Sequence, residues 1–183
     1  MRRQTIQRRT LMPVLENYPV YQQAEATSCW ACAGRSISNY LVAPGAPFAS
    51  DQAFATAWFQ VTHDPVNAEI STMQSASAAL IDLGVPNNTD GAPLPTIEEI
   101  VEQIERQRPM LTIIGDDNPD GEPNIEYQDG HWMVIVGADQ AASTITVFDP
   151  ATGTLATVAY NASRYLGYQT GNFWQNTSYI GEE

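Results

Sequence analysis

The amino-acid sequence predicts an α+β domain in which a helical first half precedes an antiparallel β-sheet. Its 183 residues are enough for one hydrophobic core. Apolar residues recur every three or four positions between residues 29 and 104, and short apolar runs separated by turn residues follow from residue 110. Helices followed by strands are typical of α+β domains. We therefore expect an N-terminal arm or pro-segment over residues 1–20 and one domain over residues 21–183.

The first helix is predicted over residues 29–41, where apolar side chains fall on one face. Thr27 or Ser28 is placed to cap its start. We expect the buried face to consist of Trp30, Ala33, Ile37, Tyr40 and Leu41.

The same spacing predicts three more helices, over residues 50–59 and 72–83 and from residue 97 onward, the last of which Pro109 ends. In the first of these, Phe54 and Trp58 face inward. Gly84 is placed to end the second. Thr96 and Glu99 form a capping box at the start of the third.

The second half contains short apolar runs bounded by turn residues, which indicate strands. We expect strands over residues 110–114, 131–137, 144–148, 155–160 and 173–180. A polar segment over residues 116–130 separates the first two strands, and we expect it to form a flap beside His131.

The charge balance restricts the possible partners. The chain carries a formal charge of −13, with 21 acidic residues and eight basic ones, all of them arginine. Four of the arginines fall within the first ten residues, so the remainder is strongly acidic. Such a surface repels nucleic acid and anionic membranes. We expect neither as a partner.

Cys29, His131 and Asp149 are the candidate catalytic residues. A helix start stabilises a thiolate, and Cys29 is predicted there. If the hairpin of residues 131–149 is symmetric about Gln140, His131 lies directly opposite Asp149, which would hold the imidazole in orientation. The alternative for Asp149 is a solvated Asp-Pro turn. His63 precedes Asp-Pro in a loop and is interpreted as a surface or structural residue.

Attack on a carbonyl also requires hydrogen-bond donors for the oxyanion. The backbone N–H of Cys29, at a helix start, is one candidate donor. The side-chain amides of Gln22 and Gln23, seven and six residues upstream, are others, or both are ordinary loop residues.

Three motifs occur in an order that resembles the papain-like cysteine peptidases: residues 23–30 (QAEATSCW), 130–137 (GHWMVIVG) and 147–150 (VFDP). They are most similar to the compact bacterial branch of that group, which includes secreted proteases and injected effectors. The chain departs from papain in having Thr27 and Ser28 where a Cys-Gly pair precedes the nucleophile, a shorter spacing to the histidine, and an aspartate in place of asparagine.

The resemblance implies a role for each of these positions. It implies a Cys29–His131–Asp149 triad in a papain-like α+β fold, with the nucleophile-bearing helix packed on the sheet. It favours Gln23 over Gln22 in the oxyanion hole. Trp30 and Trp132 would support the site, and Trp174 would shield Asp149. It implies a thioester mechanism without a cofactor.

Several alternatives remain open at this point. Cys29 and Cys32 form a CxxC, as in thiol-disulfide oxidoreductases, or half of a zinc site. We interpret Cys32 as a core residue instead. The polar segment begins like a calcium loop but lacks an acidic residue at position twelve. The same triad also supports deamidation or acyl transfer, and a non-catalytic binding module is a further possibility.

The remaining expectations concern partners and location. We expect a protein or peptide substrate, a monomer, and no metal. The arginine pairs near the start are not followed by a hydrophobic stretch, which argues against a Sec signal peptide. The sequence therefore predicts a protein that is cytoplasmic or exported by a specialised route.

Overall fold

The computed structural model describes residues 14–41, 47–62, 70, 74–88, 94–115, 130–160 and 173–181, with the backbone alone for 173–176. His63, Met73 and residues 116–129 of the polar segment predicted as a flap or calcium loop lie outside these ranges. Within them, no helix has the length and apolar character to cross a membrane.

The described residues form four helices and one six-stranded antiparallel sheet, which confirms the predicted α+β class. The helices are α1 (Cys29–Leu41), α2 (Asp51–Thr62), α3 (Ala76–Asp82) and α4 (Ile97–Glu105). The strands are β1 (Asn87–Asn88), β2 (Met110–Gly115), β3 (His131–Asp139), β4 (Thr144–Asp149), β5 (Thr154–Ala159) and β6 (Phe173–Ile180). The strand order is β1-β6-β2-β3-β4-β5, so β3 lies inside the sheet between β2 and β4.

Helix α1 is the central helix, and it packs against β3 as well as α2 and α3. Trp30, Ala33 and Ile37 on its predicted inner face are fully buried. Leu41, which the pattern included in that face, is 40% exposed because it is the last residue of the helix.

The start of α3 differs from the prediction. The helix begins at Ala76 rather than near residue 72, because the hydroxyl of Ser75 accepts a hydrogen bond from Ala78 N at 3.2 Å and caps it there. The capping box of α4 is present as predicted. Thr96 Oγ1 accepts from Glu99 N at 3.2 Å, and Glu99 Oε2 accepts from Thr96 N at 2.7 Å.

Part of the segment predicted as an arm packs onto the sheet. Val14 forms an antiparallel bridge with Gly137, and Leu15 N donates to Val136 O at 2.8 Å. Leu15 and Tyr18 are both buried. The predicted boundary at residue 20 stays a prediction, but Leu15 and Tyr18 belong to the hydrophobic core.

Candidate active site

The predicted nucleophile and base meet where the central helix packs against the sheet. Cys29 is the first residue of α1, and His131 is the first residue of β3. The thiol and the imidazole are hydrogen-bonded to each other. Both residues are buried, with exposures of 1% for Cys29 and 2% for His131.

Asp149, the last residue of β4, binds the imidazole from its other side. His131 Nε2 lies 2.7 Å from Asp149 Oδ1, and the carboxylate is fully buried. An ionised carboxylate only accepts hydrogen bonds, so Nε2 carries the hydrogen of this pair. Nδ1 is then the ring nitrogen available to Cys29. The three side chains form one buried chain of hydrogen bonds.

The register that brings His131 to Asp149 differs from the predicted one. Near the turn, Asp139 pairs with Thr144, whereas nearer the site Val134 pairs with Phe148, because a bulge at Val136 shifts the register by one residue. Continuing this register places Asp149 opposite Met133, so the predicted direct opposition to His131 is wrong.

The two residues meet diagonally instead, across positions that share a face of the sheet and lie within reach of long side chains. The bulge is essential to this arrangement. The register at the turn, continued without a shift, would have placed Asp149 on the opposite face from His131.

His131 has a strongly shifted pKa. Burial alone would lower the pKa of the imidazole, but the hydrogen bonds to Asp149 and Cys29 and the negative charge of both neighbours outweigh it and raise the pKa to about 9. The site therefore favours an imidazolium, the form that stabilises an adjacent thiolate.

Asp149 also organises the turn that follows it. Its Oδ1 atom accepts a second hydrogen bond from Ala151 N at 2.8 Å, and its carbonyl accepts one from Gly153 N at 2.9 Å. These bonds fix the carboxylate in the turn, so the predicted alternative of a solvated Asp-Pro turn does not apply.

Gln23 lies in the segment that leads into α1. Its Nε2 donates to Glu25 O at 2.8 Å and to Ala26 O at 2.9 Å, which accounts for both amide hydrogens. Its Oε1 is buried without a hydrogen-bond partner among the described residues. The neighbouring Gln22 is exposed, and its amide makes a 3.4 Å contact with Ala151 O.

The two hydroxyls that the sequence offers as a cap for α1 bond Glu25 and Ile70 instead of the first turn of the helix. Ser28 Oγ accepts from Glu25 N and donates to Glu25 O, both at 3.0 Å. Thr27 Oγ1 donates to Ile70 O at 3.3 Å. The bonds of Ser28 hold the chain in a tight turn immediately before Cys29, and the bond of Thr27 ties the same segment to Ile70.

The two predicted supporting tryptophans occupy different environments. Trp30 is fully buried in an aromatic cluster with Phe54, Trp58 and Phe59, at ring-centroid distances of 5.4–6.4 Å. Trp132 is half-buried, and its indole N–H donates to Gln74 O at 3.1 Å. Residue 174 falls in one row of the sheet with Ile114 and His131, while its side chain lies outside the described part.

Cys32 has the properties of a core residue. It is fully buried, its thiol donates to Tyr21 O at 3.4 Å, and burial together with the negative charge of Asp51 raises the pKa of the thiol. A thiol held in its neutral form is a poor partner in disulfide exchange. Among the described residues, no group of three or more His, Cys, Asp or Glu is arranged to hold a metal ion.

Two residues near the site carried no recognisable signal in the sequence. Asp51, 2% exposed, accepts from Ala24 N at 3.0 Å and pairs with Arg35 at 3.2 Å. The guanidinium of Arg35 also stacks on the ring of Tyr21, 3.6 Å from its centroid. Only tertiary structure brings these residues to the segment before Cys29.

Comparison with known protein families matches residues 15–181 to the Peptidase_C39 like family. The match covers almost the whole chain. The chain belongs to this family. Membership in the Peptidase_C39 like family confirms the resemblance to papain-like cysteine peptidases that the motifs predicted. No curated protein matches the chain.

Proposed function

We propose that the chain is a cysteine peptidase that hydrolyses peptide bonds with Cys29 as nucleophile, His131 as general base and Asp149 as orienting group. The observation that carries this proposal is the buried series of contacts from thiol to imidazole to carboxylate. Membership in a peptidase family supports it independently.

In the first step, His131 takes the proton of Cys29 Sγ, and the thiolate attacks the carbonyl carbon of the scissile bond. The raised pKa of His131 favours this proton transfer, because Asp149 stabilises the imidazolium that forms. Asp149 also fixes the tautomer, since its carboxylate holds the hydrogen on Nε2 and leaves Nδ1 for the proton of the thiol.

The negative charge on the carbonyl oxygen requires hydrogen-bond donors. We assign this role to the backbone N–H of Cys29 and the side-chain amide of Gln23. The amide of Gln23 donates to Glu25 O and Ala26 O, so one of these bonds must be exchanged for the oxyanion when substrate binds. A charged acceptor favours this exchange because charge-assisted hydrogen bonds are stronger than neutral ones.

Collapse of the tetrahedral intermediate breaks the C–N bond, and His131 donates its proton to the leaving amine. The acyl group is then held as a thioester on Cys29. His131 next takes a proton from a water molecule, whose oxygen attacks the thioester and releases the acid and the free thiol. These steps use only side chains of this protein and water.

Paired cysteine variants test the proposal. Cys29→Ala is expected to lower peptide hydrolysis by at least about three orders of magnitude and to abolish labelling by an epoxide thiol inhibitor. Cys32→Ser is the matched control, because Cys32 lies one turn along α1 and its thiol bonds Tyr21 O, which a serine hydroxyl can also do. Hydrolysis of a peptide library by both variants is the measurement.

The two variants also separate the alternatives. A peptidase keeps its activity in Cys32→Ser, whereas a CxxC oxidoreductase loses turnover in both variants. Hydrolysis that persists in Cys29→Ala would refute the assignment of the nucleophile. Addition of an amine donor to the wild-type reaction distinguishes hydrolysis from acyl transfer, because a transferase incorporates the amine into the product.

A further inference from the structure

The turn that follows Asp149 also holds the backbone of the segment that carries Gln23. Gln23 N donates to Pro150 O at 2.8 Å. Gly153 lies against the preceding residue: a Cβ built on Gly153 would lie 3.0 Å from Gln22 Cβ and 3.1 Å from its Cα and N atoms. These distances are too short for a side chain at residue 153 unless the backbone of Gln22 moves.

The turn itself is held by the side chain of Asp149, the residue proposed to orient His131. Asp149 Oδ1 accepts from both His131 Nε2 and Ala151 N, at 2.7 and 2.8 Å. Gly153 N closes the turn on Asp149 O at 2.9 Å, and Gly153 adopts a φ of +66°, which favours glycine. The imidazole and the turn are therefore fixed by one buried side chain.

The segment is held on its other side by the helical half of the protein. Ala24 N donates to Asp51 Oδ2 at 3.0 Å, and Asp51 is fixed by Arg35. Gln23 thus lies between two adjacent backbone attachments, one to the sheet half and one to the helical half. Because Asp51 holds Ala24, we expect a displacement of the turn at Gly153 to fall on the backbone at Gln23.

We propose that Gly153 is a positioning residue that sets the place of the Gln23 amide relative to the triad. This inference rests on the proposed function, in which Gln23 binds the oxyanion. The absence of a Cβ at residue 153 lets the segment approach the turn closely. Any side chain there displaces Gln23 by a few tenths of an ångström, and errors of this order reduce transition-state stabilisation more than substrate binding.

A double-mutant cycle between Gly153→Ala and Gln23→Ala tests this role. We expect Gly153→Ala to lower kcat about tenfold with little change in KM, and to lower it less than about twofold when Gln23 is already alanine. Equal losses of kcat in both backgrounds would overturn the proposal, because they would show that Gly153 does not act through Gln23.

Gly84→Ala is the matched control. Gly84 has a φ of +82° but no atom within 4 Å of the position of an added Cβ. It therefore carries the same backbone strain without the steric contact, and we expect unchanged kcat. A loss of kcat in Gly84→Ala as large as in Gly153→Ala would attribute the effect to general strain and overturn the proposal.

Hydrogen exchange of the Gln23 backbone amide provides a readout that does not depend on activity. We expect this amide to be protected in the wild type, less protected in Gly153→Ala or the less strained Gly153→Asn, and unaffected in Gly84→Ala. Rapid exchange in the wild type, or unchanged exchange in a folded Gly153 variant, would overturn the proposal. A wild type without Cys29-dependent hydrolysis would instead refute the proposed function, and the exchange measurement would still decide whether Gly153 holds Gln23.

Discussion

At the scale of single residues, His131 is shaped by opposing influences on its pKa. Burial disfavours the charged imidazolium, whereas hydrogen bonds to Asp149 and Cys29 favour it. Together with the negative charge of both neighbours, the hydrogen bonds have the larger effect, so the pKa of His131 is raised to about 9. The imidazolium that forms when His131 takes the thiol proton is therefore stable through neutral pH. A thiolate–imidazolium pair is the reactive form of a cysteine peptidase, and it is lost when the imidazolium deprotonates.

This shift predicts the alkaline side of the activity profile. We expect kcat/KM to fall as the pH rises through about 9, where His131 loses its proton. In Asp149→Ala we expect this alkaline fall in kcat/KM to occur at lower pH, because a hydrogen bond that raises the pKa of His131 is removed. The measurement is kcat/KM against pH for both proteins.

Asp139→Ala is a suitable control for that profile. Asp139 Oδ1 accepts from Ala142 N at 3.0 Å at the far end of the same hairpin. Its removal also deletes a carboxylate that stabilises a turn, but far along β3 from His131. The role given to Asp149 would be contradicted if the alkaline fall in kcat/KM occurred at the same pH in Asp149→Ala as in the wild type. It would also be contradicted if Asp139→Ala shifted that fall by the same amount.

The candidate site illustrates which residues a sequence can identify. Cys29 and His131 are recognisable because the chemistry requires these residue types at a helix start and a strand start. Asp51 and Gly153 are not recognisable in this way. Their contacts with Ala24 and Gln22 join positions distant in the chain, and neither a buried aspartate at a helix start nor a turn glycine is unusual by itself.

At the scale of elements, the hairpin of β3 and β4 shows a limit of prediction from spacing. The sequence predicted both strands and their antiparallel return, but not the bulge at Val136. The bulge coincides with the place where Leu15 N bonds Val136 O and Val14 bridges Gly137. A bulge at which another segment pairs with the strand depends on tertiary contacts, so the sequence of the strand alone does not reveal it.

Contact between α1 and α2 predicts the effect of a substitution at Gly34. A Cβ on Gly34 would overlap Phe54 Cζ and lie 2.7 Å from Phe54 Cε1, and the ring has little room to move because it is fully buried between Trp30 and Phe48. We expect Gly34→Ala to lower the free energy of unfolding by about 1–2 kcal/mol, although alanine is the better helix former. Urea denaturation is the measurement.

The matched experiment enlarges the space at the contact. Combining Gly34→Ala with Phe54→Leu should cost less than the sum of the two single substitutions, because the leucine side chain leaves room for the new methyl group. A Gly34→Ala protein that is more stable than the wild type would mean that helix propensity outweighs the overlap and that α1 and α2 are not closely packed there.

At the scale of the whole molecule, the predicted α+β class and papain-like architecture are confirmed, and most helix and strand positions agree within a few residues. The differences have local causes. Ser75 rather than an earlier residue caps α3. Strand β1 has only two residues, Asn87 and Asn88, and pairs with β6 through tertiary contact. A strand of two residues is too short to show the alternation of apolar and polar residues that identifies strands in a sequence.

The charge distribution predicts how the stability of the whole molecule responds to salt. With a formal charge of −13, the folded protein is subject to self-repulsion that salt screens. We expect Tm to rise by a few degrees as NaCl increases from about 10 mM to about 300 mM. Differential scanning calorimetry over this series is the measurement.

Helix α4 provides a control for this effect. Glu105 is its last residue and is exposed, in a helix with three other glutamates. Glu105→Gln should raise Tm at low salt and have a smaller effect at high salt, because both the repulsion and the unfavourable helix dipole contact are screened. A Tm that falls on addition of salt would show that attractive ion pairs outweigh the repulsion.

The most direct test of the triad is to capture the acyl group on its nucleophile. Incubation of the Cys32→Ser protein with an activated peptide ester, followed by acid quenching and mass spectrometry, leaves Cys29 as the sole cysteine that can form a thioester. We predict that the mass of the acyl group is added at Cys29. This added mass should be absent from the double variant that carries both Cys29→Ala and Cys32→Ser. Hydrolysis of the ester with Cys29 unmodified and the acyl group on another residue would contradict the account.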